Sequence, residues 1–102
     1  MAEETFEQRA AWASRALALI GNSDPTLLAH ALLETLQQMA EAGMDAAERC
    51  ANPAVAVLTA QLAECAGLHF HWPIAHEERC RQEVARHRAE SACLTPGQPA
   101  AA

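Results

Sequence analysis

A chain of 102 residues with 13 acidic side chains, seven Arg and no Lys carries a formal net charge of -6, which disfavours generic attraction to DNA or RNA phosphates. The length suits one domain and is too short for separate substrate and cofactor domains. Hydrophobic residues make up 51% of the chain, but Ala supplies 25 residues, only 23 are large and apolar, and Tyr is absent, so the composition excludes a large core and a β-rich fold.

The expected architecture is an all-α bundle of about four helices in antiparallel hairpins. Small buried side chains contribute little at roughly 25 cal/mol per Å² of apolar area, so homodimerisation is expected to complete the thin core. The chain opens Met1-Ala2-Glu3-Glu4, acidic where a secretory signal needs positive charge, and no apolar run approaches the roughly 18 residues that span a bilayer. A cytoplasmic protein without a membrane segment is the expectation, and its four Cys are then thiols or metal ligands before they are structural disulfides.

The first helix is predicted over residues 3–20, with Phe6, Ala10, Ala13, Leu17 and Ile20 on one stripe and Trp12, Ala16 and Leu19 broadening it. It ends at Gly21-Asn22. Asp24 is then an N-cap and Pro25 suits the first helical position, where its missing N–H costs nothing. This second helix runs to about residue 42, with Leu28, Leu32, Thr35, Leu36 and Met39 facing inward and Gly43 capping its end. A short helical turn follows over 45–51, and Asn52-Pro53 repeats the cap-and-proline signature. From there Val55, Leu58, Leu62, Cys65 and His69 form a seam at spacings of three and four. Trp72-Pro73 breaks that helix, since the residue before Pro is driven out of the α region. The last helix covers about 73–92, with Ile74, Cys80, Val84, Ala85 and Ala89 as its inward positions. One helical domain over 1–93 is thus followed by a tail at 94–102 whose Pro, Gly and Ala residues are expected to be disordered.

Metal-capable side chains are mirrored about the break: Cys65-x3-His69 before it and His76-x3-Cys80 after it. If the flanking helices form an antiparallel hairpin, Cys65 faces Cys80 and His69 faces His76, which supplies the four N and S donors of a tetrahedral zinc site. The competing reading packs the two Cys as small hydrophobes and leaves the His at a helix end or in solvent. Cys50 and Cys93 form an outer pair of the same mirror. Oxidised, Cys50 with Cys93 and Cys65 with Cys80 would staple a hairpin that resembles the twin Cys-x(n)-Cys helical-hairpin proteins of the mitochondrial intermembrane space. The resemblance covers residues 50–93, with spacings Cys-x14-Cys and Cys-x12-Cys and with Pro53 interrupting the first arm.

Nothing marks an enzyme. Cys80 with His76, or Cys65 with His69, meets the proximity needed for an activated thiol, but no oxyanion donor accompanies either pair, no Gly-rich phosphate loop occurs, and the Glu-x-x-His motif of di-iron bundles is missing. His30 reads as a rim histidine. The last helix carries four of the Arg, balanced by four Glu, so direct DNA binding is a minor reading.

The leading expectation is a non-enzymatic protein that regulates a partner protein by binding it, for example a transcription regulator or a cellular effector. It needs no cofactor. Apolar residues in excess of one seam are the candidate anchors: Trp12 and Leu19, Leu27 and Leu33, Val57, and Phe70 with Trp72 at the hairpin tip. The alternative is a zinc or copper protein built on Cys65, His69, His76 and Cys80.

Overall fold

The computed structural model describes residues 5–68 and 74–94, the side chains of the last two excepted. His69, Phe70 and Trp72, the side chain of Cys93 and the expected tail beyond Leu94 lie outside this description. The described residues form five helices and no strand: α1 (Phe6–Ala18), α2 (Pro25–Glu41), α3 (Ala46–Ala51), α4 (Pro53–Cys65) and α5 (Ile74–Leu94).

Each boundary has a local cause. At α1 the Thr5 hydroxyl accepts from the Gln8 N–H at 3.1 Å, while the Gln8 side chain accepts from the Thr5 N–H at 2.9 Å, a reciprocal cap that starts the helix at Phe6 rather than at residue 3. The expected turn at 45–51 is a helix in its own right because Asp45 and Glu48 repeat the same exchange at 2.8 and 3.0 Å. Asp24 and Asn52 cap α2 and α4, each followed by Pro at the first helical position. The Gly43 stop after α2 is also as expected: Gly43 sits at φ 89° and the Met44 N–H returns to the Met39 carbonyl at 3.1 Å.

The core is small and Ala-rich. Trp12, Leu28, Met39, Val57 and Leu58 are fully buried, and Ala13, Ala16, Ala31, Ala54 and Cys80 fill the space between them. α4 is the central element, touching α1, α2, α3 and α5, which is why apolar residues occupy most of its circumference. α1 packs chiefly on α5. The bond that ties these two together at the rim is Arg9 Nη2 donating to Glu83 Oε1 at 2.6 Å.

α5 corrects the expected pattern. Cys80 is buried and Val84 is packed against the core, but Ile74 is 70% exposed and Ala85 and Ala89 are exposed. At about 100° per residue, Ile74, Ala85 and Ala89 fall to one side of the line through Cys80 and Val84. A helix that meets the protein along one narrow line leaves them in water.

Candidate interaction surface

Of the residues expected to meet at the hairpin tip, Cys65, His76 and Cys80 are among the described ones and His69 is not. α4 and α5 do touch, and Cys65 and Cys80 lie on them. However, α4 stops at Cys65, because Gly67 takes φ 76° and the Leu68 N–H returns to the Ala63 carbonyl at 3.0 Å. The helical register that was to put His69 one turn beyond Cys65 therefore ends before it is reached. Among the described residues no three His, Cys, Asp or Glu side chains lie close enough together to hold a metal ion.

The described thiols occupy three different environments. Cys50, Cys65 and Cys80 are all free, so the Cys65–Cys80 staple of the helical-hairpin resemblance is absent. The Asn52-Pro53 break also places Cys50 on α3, off the arm that was to carry it. Cys65 is half-buried and its Sγ lies 3.5 Å from the Asn22 carbonyl, the same oxygen that accepts from the buried Gln61 amide at 3.0 Å. Cys80 is at the bottom of the core. Burial pushes its thiol up to about 11, and the Glu83 and Glu77 carboxylates add to the rise. One Glu83 oxygen takes the Arg9 bond, and the other is buried without a hydrogen-bond partner, as is His76 Nδ1.

A protonated, enclosed thiol is neither a nucleophile nor a ready metal ligand. Alkylation with iodoacetamide at neutral pH, mapped by mass spectrometry, is accordingly expected to modify exposed Cys50 in the native protein and Cys80 only after denaturation. Equal rates at the two positions would contradict this placement of Cys80.

Of the candidate anchors, two are core residues. Trp12 and Val57 are 1% and 0% exposed, a correction whose cause is the shortage of large side chains: a centre built from Ala draws in the bulkiest residue near it. Leu19 is half-buried against the same cluster. Leu27 and Leu33 remain outside, at 43% and 67% exposure. Both project from α2 away from Leu28, Thr35 and Met39, which face inward.

The outer side of α2 is an open face that carries His30, Leu33, Glu34, Gln37, Gln38 and Glu41. Behind it lies a polar network that the sequence does not reveal. Trp12 Nε1 donates to Gln38 Oε1 at 3.0 Å, Arg15 donates to the fully buried Thr35 hydroxyl at 2.8 Å, and the same guanidinium reaches Glu34 at 3.8 Å. These bonds hold α2 at a fixed distance from α1 and satisfy polar atoms that would otherwise be costly to bury. The outer face of α2 thus combines an exposed Leu, two carboxylates and side-chain amides on a braced helix. It offers binding contacts and no reactive group.

No family model, no curated protein and no solved structure matches the chain.

Proposed function

We propose that the protein is a non-enzymatic helical regulator that acts in the cytoplasm by binding a partner protein through the outer face of α2, in the manner of a transcription regulator or a cellular effector. The exposure of Leu33, with Glu34 and Glu41 on the same outer face, is the observation that carries the reading. An amphipathic helix that presents an apolar anchor beside acidic side chains fits an apolar cleft with a basic rim. The net charge of -6 favours such a rim and repels nucleic-acid phosphates. No helix among the described residues is long and apolar enough to cross a membrane.

A photo-crosslinking amino acid placed at position 33 tests the reading in the native host. Adducts are expected from position 33 and not from position 47, an exposed Ala on α3. Equal adduct yields at the two positions would overturn it.

A further inference from the structure

We infer that the surface which receives the acidic outer face of α2 is the furrow between α1 and α5 of a second copy of this chain, in a two-fold symmetric dimer. The inference rests on the reading of α2 as an interaction surface and names its occupant.

The furrow has the required chemistry. Leu17, Ala18, Val84 and Ala85 line it, with Arg81 and Arg88 on its rim. Arg88 is exposed and makes no hydrogen bond or ion pair among the described residues; Arg81 is also exposed and is bonded to Glu77 at 2.7 Å. An apolar floor with a basic rim complements Leu33 beside Glu34, so one chain carries both halves of a charge-matched contact.

The placement of α1 lets both halves engage at once. Trp12 and Arg15 leave one flank of α1 toward α2, and Ala10 and Leu17 lie on the other flank, toward α5. Between the flanks runs the exposed strip Ala11, Ser14 and Ala18. A two-fold axis parallel to α1, in front of this strip, carries α5 of one copy across to α2 of the other and keeps each residue at its own level along α1. Arg15 reaches Glu34, while Ser14 borders the furrow beside Val84 and Arg88. These residues share one level, so Glu34 comes opposite Arg88 of the other copy and Leu33 comes opposite its Val84 and Ala85. The contact occurs twice, as an isologous interface requires, and the short side chains of the central strip allow the two α1 helices to approach. A two-fold axis perpendicular to α1 would instead face α2 with α2 and juxtapose like charges.

The test is a charge exchange read by light scattering and native mass spectrometry. Wild-type protein is expected to be a dimer that weakens as salt is raised. E34R and R88E are each expected to be monomers, with the dissociation constant raised about a hundredfold or more by like-charge contact. Mixed in equal amounts, they are expected to form a dimer containing one of each. A wild-type monomer up to its solubility limit, or a dimer indifferent to both reversals, would overturn the inference. Should either variant lose its helical circular dichroism, S14R replaces it: a bulky charge at the axis is expected to abolish the dimer, and persistence of the dimer counts against this interface. Crosslinked adducts to a different protein at position 33, together with a monomeric wild type, would remove the dimer and leave the α2 reading standing. Position 33 yielding no adduct of any kind would remove both.

Discussion

Replacing Trp12 with Ala is expected to lower stability by about 3–5 kcal/mol, the largest effect of any single substitution considered for this chain. Trp12 is the largest fully buried side chain among the described residues, and the residues around it include Ala13 and Ala16, which are too short to close the cavity left behind. The indole also donates to Gln38 Oε1 at 3.0 Å, so truncation removes one of the bonds that brace α2 against α1. Domains of this size have a stability on the order of 5–15 kcal/mol, and a thin core belongs toward the lower end. Trp12→Ala is therefore expected to leave little folded protein at physiological temperature. Trp12→Phe separates packing from hydrogen bonding: it keeps most of the ring and is expected to cost about 1–2 kcal/mol, since Gln38 retains a longer contact from Arg15 at 3.4 Å. Urea unfolding followed by far-ultraviolet circular dichroism measures both. A Trp12→Ala protein as stable as wild type would show that Trp12 does not hold the core together.

The difficulty of anticipating Trp12 has the same source as most of what the sequence conceals. Signals that depend on one or two residues are legible: the Asp24-Pro25 and Asn52-Pro53 starts, the Gly43 stop, and the inward Leu28, Thr35 and Met39 all describe the observed helices. Alanine carries no such information. It is buried at positions 10, 13, 16, 31, 54 and 60 and exposed at positions 11, 18, 85 and 89, so hydrophobic periodicity loses contrast wherever Ala supplies the face. The position of α5 illustrates the loss. Among its described side chains, its mostly polar sequence offers only Cys80 and Val84 to the core, and nothing local announces that its chief neighbour is α1.

The candidate surface was legible to a similar degree. Leu27 and Leu33 stand off the inward stripe of α2, and that periodicity identifies them as residues left over for contact. Trp12 and Val57 have the same standing in the sequence but are enclosed by tertiary packing that no window of neighbours encodes. The braces from Trp12 and Arg15 to Gln38 and Thr35 span between 20 and 26 residues and belong to the same category. The mirrored Cys/His spacing was a sound guide to contact between α4 and α5. It failed as a guide to helix length, because the left-handed Gly67 ends α4 at the first member of the pair.

Alkaline pH is expected to destabilise the protein by about 2–3 kcal/mol through Cys80 alone. The thiol is raised from 9.0 to about 11 in the folded chain, first by burial and then by the Glu83 and Glu77 carboxylates. Below pH 9.0 the thiol is protonated whether the chain is folded or unfolded, and stability has its full value. Between pH 9.0 and about 11 the unfolded chain releases this proton while the folded chain retains it. The unfolded state thus binds fewer protons, and stability falls with rising pH until the folded thiol also ionises. The composition makes the effect unusually easy to isolate: with no Lys and no Tyr, Cys are the only side chains whose ordinary titration lies in this window. Urea unfolding under reducing conditions at several pH values between 8 and 11 measures the slope. Cys80→Ala is expected to be less stable than wild type near neutrality, through a small cavity, yet to lose much less stability on going alkaline, so that the difference between the two proteins narrows as pH rises. Cys50→Ala, at an exposed position, is expected to track the wild type throughout. Parallel curves for wild type and Cys80→Ala would show that Cys80 ionises in the fold as readily as it does in the unfolded chain, and would contradict its placement at the bottom of the core beside Glu83.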